Sequence, residues 1–244
     1  MLRNILLIAC LVSRPAFADC FGEDSTHLVL ERELIDFQDG HWLVAIIRQI
    51  QGKEADGSNE FFIDGVEFTL FTPIDYPCGK PLLDYSMQGV DTGHVNKIDY
   101  PWLKGIDLTG MMLGGSGNGL SHSIFSYGDE KLAAAGIDWK DLAKHQTGLQ
   151  HTNMGGIYVG QLGPGHGNGL VMWEADWTDG AHYDPHPFDV YYFSWDGRSF
   201  TLSQHINTGS KYDPEAAKPE FLGLPAGSEL PRLQFPYTFH TMTR

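Results

Sequence analysis

Apolar and β-branched residues recur along this chain in runs of strand length. "HWLVAIIRQI" (His41 to Ile50) is one such run, and its length and composition predict a buried strand. "EFFIDGVEFTLF" (Glu60 to Phe71) sets Asp64-Gly65 between two β-prone runs, a pattern that predicts a hairpin turning at that dipeptide. "FDVYYFSWDGRSFTLSQHI" (Phe188 to Ile206) repeats the design around Asp196-Gly197. Helical character is confined to "DEKLAAAGIDWKDLAKHQ" (Asp129 to Gln146). This stretch predicts two short pieces split near Gly136, with Asp138 capping the second and Lys144 and His145 near its negative end. Five prolines between Pro214 and Pro236 predict an extended wrap rather than a ladder strand. The expected fold is mainly β, in antiparallel sheets of propeller-like or sandwich type, with one short helical insertion.

The first eighteen residues change where this fold is expected to work. Arg3, the short apolar stretch "ILLIACLV" (Ile5 to Val12) and "AFA" (Ala16 to Ala18) have the layout of a secretory leader cleaved after Ala18. A membrane anchor needs about 20 apolar residues, and this stretch is far shorter. A lipid-attachment reading of "LIAC" at Cys10 fails because too little apolar chain precedes it, and Asp19 before Cys20 is the wrong residue there. The expected mature chain, 19–244, is one secreted β-rich domain, placed in a bacterial periplasm. Cys20 and Cys78 remain in it, and in an oxidising compartment an even pair with no C-x-x-C spacing predicts a disulfide. The formal net charge of −15 becomes more negative still once Arg3 and Arg14 are lost. Such a surface excludes nucleic acid and anionic membranes as partners and favours a basic protein.

An internal repeat then organises the second half. "GGSGNGL" (Gly114 to Leu120) recurs as "GPGHGNGL" (Gly163 to Leu170), and each copy leads into an alternating strand and an aromatic turn. Residues 105–127 and 156–206 read as two related units, the second lengthened by an insertion at 172–187. "YVGQLGPGHGNGLVMWEADW … VYYFSWDGRSF" resembles the FG-GAP or VCBS-type repeats of exported bacterial proteins, and "GIDLTG" (Gly105 to Gly110) resembles the start of the same loop. That resemblance implies propeller-like antiparallel sheets. Where the family carries calcium-binding aspartates, this chain has Gln161, Gly163 and Gly165, and the first copy keeps only Asp107. A hard cation needs several oxygen ligands, so calcium is not expected.

The insertion concentrates the candidate chemistry. His182, Asp184 and His186 in "AHYDPHP" alternate as two imidazoles and a carboxylate, a donor set for Zn²⁺, with His166 as a possible fourth ligand. Against convergence, Pro185 and Pro187 favour a rigid loop. Glu174 and Asp176 in "WEADW" are paired carboxylates of the kind a hydrolase or sugar platform uses. On a strand, however, they face away from Trp173 and Trp177. "GGSGNG" lacks a nucleophile elbow, because Asn118 stands where glycine is required.

Three function classes follow. The first is a non-catalytic periplasmic protein-binding protein, of the inhibitor or immunity type, needing no cofactor. Its recognition loop would use Trp173, Trp177, Asp179, His182, Tyr183, Asp184, His186, Phe188 and Asp189 against a basic periplasmic protein. The second is a metal- or carboxylate-dependent hydrolase, using Zn²⁺ at His182/Asp184/His186 or the "WEADW" acids. The third is a carbohydrate-binding envelope protein. The first class fits the leader, the acidity and the missing active-site signature together.

Overall fold

The structure, a computed structural model, describes residues 20–21, 26–37, 39–53, 61–112, 119–140, 149–152, 154–178, 184–213, 220–225 and 228. Residues 1–18, expected from the sequence to be a leader, and most of the proline-rich tail lie outside these. Fourteen strands account for most of the described chain. They are β1 (His27–Asp36), β2 (Trp42–Lys53), β3 (Phe61–Phe71), β4 (Leu83–Gln88), β5 (Thr92–Tyr100), β6 (Leu103–Met112), β7 (Gly119–Gly128), β8 (Lys131–Ala134), β9 (Gly136–Asp138), β10 (Leu149–Thr152), β11 (Gly156–Gln161), β12 (Asn168–Ala175), β13 (Phe188–Trp195) and β14 (Ser199–Asn207).

They form three sheets, none closed into a barrel. The first has the order β1-β2-β3-β4, the second β10-β7-β6-β5 with β8 beside β7, and the third β11-β12-β13-β14-β9. Pairing is antiparallel except between β14 and β9. The first and second sheets pack face to face. Leu43, Ala45, Ile47, Val66 and Phe68 of one meet Val95, Ile106, Leu108 and Phe125 of the other in a shared core. The second sheet's opposite face joins the third, through Ile98, Leu103, Ile124 and Leu149 against Leu170, Met172, Tyr191 and Phe193. A third cluster on the outer face of the third sheet holds Val171, Trp173, Val190 and Tyr192. Leu222, in a single 3₁₀ turn at Glu220–Leu222, packs there, and its carbonyl accepts from the Tyr192 hydroxyl at 3.3 Å. Strands of the third sheet are therefore buried on both faces, which explains why β12 reads as a near-continuous apolar run.

Three sequence expectations need correction. Asp64-Gly65 is not a turn. β3 runs straight through it, and the register against β2 jumps from Gly65↔Ile50 to Ile63↔Gln51, leaving Asp64 as a bulge. Glycine is needed because a Cβ at 65 would lie 2.2 Å from the Met87 carbonyl oxygen. The stretch 129–140 is not helical. Asp129 and Glu130 take positive φ in a tight turn, and β8 and β9 follow; Asp138 accepts from Lys140 N at 2.8 Å in a local turn. The rest of the expected second helical piece, 141–146 with Lys144 and His145, lies outside the described residues. The insertion does not begin at 172, since Met172, Trp173 and Ala175 are buried in β12, and the connection to β13 starts at Asp176.

Other expectations hold. Asp196-Gly197 turns the β13–β14 hairpin, with Gly197 at φ 101° and Asp196 Oδ1 accepting from the amides of Arg198 and Ser199 at 2.8 and 2.7 Å. Gly119-Leu120 of the first copy open β7, which pairs with β6, and Asn168-Gly169-Leu170 of the second open β12, which pairs with β11; Gly117 and Asn118 lie outside the described residues. Cys20 and Cys78 are bonded, with Cα atoms 5.3 Å apart.

Candidate functional site

The β12–β13 connection carries the residues singled out from the sequence, and it is anchored from both ends. Trp173 lies in the outer core, its ring flat against Gly156, where a Cβ would approach it to 2.2 Å. Phe188 is buried and stacks on Phe221 at 4.7 Å. His186 is fully buried. Its backbone pairs with Tyr212 in both directions (3.0 and 2.8 Å), its Nδ1 lies 3.2 Å from the Asp176 carbonyl oxygen, and its ring sits 4.9 Å from that of Trp177. His186 and Phe188 are thus internal supports, not the exposed contact area the sequence suggested. Asp184 is exposed while His186 turns inward, and His166 stacks on Tyr192 at 4.0 Å. Asp179, His182 and Tyr183 lie outside the described residues. Among the described residues of the connection, Trp177 is 41% exposed, and Thr178, Asp184 and Pro185 are exposed as well.

Beside it the sheet ends in a row of acids. Glu174 and Asp189 are cross-strand partners on β12 and β13, and Asp189 pairs with Asn207 on β14. Each carboxylate holds a donor. Tyr191 OH donates to Glu174 Oε1 at 3.0 Å, His205 Nε2 lies 2.9 Å from Asp189 Oδ1, and the Asn207 amide reaches Asp176 and Asp189 at 3.2 and 3.3 Å. His205 also stacks on Tyr191 at 4.5 Å. Burial first, then the charges of Glu174, Asp189 and Asp176, hold the Tyr191 phenol far above its ordinary value. It therefore stays a proton donor to Glu174 throughout the physiological range. Three carboxylates fixed by hydrogen bonds, with a partly exposed indole next in the chain after Asp176, make a rim suited to a cationic group.

Two polar clusters went unnoticed in the sequence. On the second sheet, Asp107 (β6) accepts from His122 Nδ1 (β7) at 2.9 Å and from Thr109 Oγ1 at 3.2 Å, and Asn96 in turn donates to Thr109 at 3.0 Å. His122 Nε2 meets His151 Nε2 (β10) at 3.0 Å, and His151 Nδ1 lies 2.6 Å from the Thr152 carbonyl oxygen. All three titratable groups are buried. Burial and then the charge on His122 depress His151 to about 3. Elsewhere Glu31 and Glu33 of β1 converge on His94 of β5, with Glu33 3.2 Å from the imidazole and Glu31 3.9 Å. The signals available were the alternation in "SHSIF" and the lone acid in "GIDLTG". The first reads as a polar face only while the third sheet above it is unknown.

No protein-family model, curated protein or solved structure matches this chain. Among the described residues no helix is long and apolar enough to cross a membrane; the Cys20–Cys78 disulfide fits a secreted or periplasmic protein.

Proposed function

We propose that this chain is an exported, non-catalytic binding protein of the inhibitor or immunity type, which captures a basic protein of the same compartment at the rim of its third sheet. The observation that carries this reading is the row Glu174, Asp176 and Asp189, each held on a hydrogen-bond donor, with the partly exposed Trp177 following Asp176 in the chain. The net charge of −15 steers a basic partner toward that row. Trp177 supplies the kind of aromatic anchor that dominates binding energies. The buried His186 and Phe188 brace the connection from behind, so the rim needs little ordering on contact.

The test is capture from periplasmic extract by the wild type and by a Trp177→Ala/Asp184→Ala variant, followed by binding kinetics with the captured protein. The wild type is expected to hold a basic protein and the variant to lose at least tenfold in affinity with its melting temperature unchanged. Salt is expected to slow association more than it speeds dissociation. Equal capture by both proteins refutes the reading. Hydrolysis by the wild type that is lost in Glu174→Gln would replace it with the carboxylate-dependent hydrolase.

A further inference from the structure

The His122–His151 contact sets a requirement that the two side chains cannot meet as neutral imidazoles. The Thr152 carbonyl oxygen can only accept, so His151 Nδ1 carries a hydrogen. A carboxylate at Asp107 can only accept, and Thr109 Oγ1 lies 3.2 Å from both its Oδ2 and His122 Nδ1, so against that carboxylate His122 Nδ1 also carries a hydrogen. In neutral rings both Nε2 atoms are then bare acceptors, yet they face each other at 3.0 Å. The ring centroids are 5.1 Å apart with the planes inclined by 23°, so the rings meet tip to tip. Two lone pairs cannot share that line unpaired. Something positive has to lie between them.

The surroundings are built for a cation. Metal-bound histidines characteristically donate their second ring N–H to a carboxylate or a backbone carbonyl, which fixes the tautomer and leaves the other nitrogen as ligand. Here both versions occur side by side, the carboxylate on His122 and the carbonyl on His151. The Asp107 carboxyl is itself more than nine-tenths buried, and its Oδ1 has no hydrogen-bond partner among the described residues. At the other end, the Thr152 hydroxyl is also buried and has no hydrogen-bond partner among the described residues. His151 sits on β10, the edge strand of its sheet, so its ring can shift without breaking a central ladder. A tetrahedral ion with bonds of about 2.0–2.1 Å to each nitrogen requires the pair to open by only a few tenths of an ångström.

We propose that His122 and His151 are the nitrogen pair of a binding site for a borderline divalent cation of the Zn²⁺ or Cu²⁺ class, the ions that imidazole ligands suit. The ion takes the place of the proton otherwise shared by the two Nε2 atoms, so one proton leaves the pair as one ion enters. Water or a donor from a bound ligand fills the remaining positions.

Titration of the metal-stripped full-length exported protein with Zn²⁺ alone, followed by ¹⁵N spectra of its histidine rings, tests this. Expected is uptake of one equivalent, with the Nε2 signals of two rings moving while their Nδ1–H signals persist. His151→Gln should lose the uptake, and Asp107→Asn should weaken it by about 10–100-fold. The wild-type spectra decide the matter even where a variant fails to fold. Absence of uptake overturns the proposal, as does a Zn²⁺ response confined to His94. The latter would place the ion at the partly exposed Glu31/Glu33/His94 cluster, whose donor atoms lie within 4.8 Å of one another. The wild-type titration is independent of partner capture, so either result can fail without the other.

Discussion

A methyl group at Gly169 would come within 2.0 Å of the Phe193 carbonyl oxygen, whereas the same group at Gly119 would meet nothing within 4 Å. These are the equivalent glycines of the two Gly-Asn-Gly-Leu copies, so the repeat preserves a residue type whose reason differs between copies. Gly169→Ala forces β12 away from β13 in a core closed on both faces and is expected to cost about 1–3 kcal/mol. Gly119→Ala only restricts the unfolded chain and should be neutral or stabilise by about 0.4–1 kcal/mol. Urea unfolding of the two variants checks the contrast. At His94 the hydrogen bond with Glu33 comes first, and with the charges of Glu33, Glu31 and Asp107 it holds the imidazole above its ordinary 6.5 against the opposing effect of burial. A histidine raised in the folded state contributes stability that is complete below its unfolded value and is lost as pH rises through its folded value. Glu31, raised from its ordinary 4.5 by burial and by Glu33, acts in the same sense at lower pH, because ionising it in the folded protein is disfavoured. The melting temperature at low salt should therefore fall as pH rises past the ordinary imidazole value of 6.5, and His94→Gln should flatten that fall. The half-exposed setting keeps the effect below about 1 kcal/mol.

At the scale of elements, what was legible followed from period. β2, β13 and β14 declared themselves by length and β-branching, and the Asp196-Gly197 hairpin by its turn chemistry. The same dipeptide at Asp64-Gly65 misled, because Asp-Gly serves a bulge as well as a turn and only the neighbouring β4 backbone, pressing on Gly65, distinguishes the two. The alanine-rich stretch Lys131–Ala134 has helical propensity but pairs along β7 at the end of the second sheet, where tertiary pairing overrides a weak local preference. At the candidate rim, the acids, Trp177 and the supporting role of Trp173 could be read from "WEADW", but the inward turn of His186 could not. It depends on Tyr212, 26 residues further on, adding a bridge to its backbone. The Asp107–His122–His151 chain was hidden for a related reason. Its members come from three strands of one sheet, and their burial comes from a sheet that follows them in sequence.

The whole molecule is three layers held by two shared cores, and the middle sheet belongs to both. Losing the first layer exposes the inner face of the second, which still has to hold the third, so the layers are expected to unfold together. The disulfide acts on the outermost layer. Cys20 precedes β1 and Cys78 lies in the β3–β4 connection, 58 residues apart. Next to the bond, Phe21 packs edge-on against Phe71 at 5.1 Å, and the Arg48 guanidinium lies 5.2 Å over the Phe21 ring. Closing a loop of that length restricts the unfolded chain and stabilises the fold by about 2–4 kcal/mol. A Cys20→Ser/Cys78→Ser variant should therefore melt about 5–15 °C lower. If the middle sheet couples the layers, calorimetry will show that loss as a displacement of one transition. A variant that instead splits into two transitions, with the lower one alone moved, would mean that the first sheet unfolds independently and that the shared core between the first two sheets does not couple them.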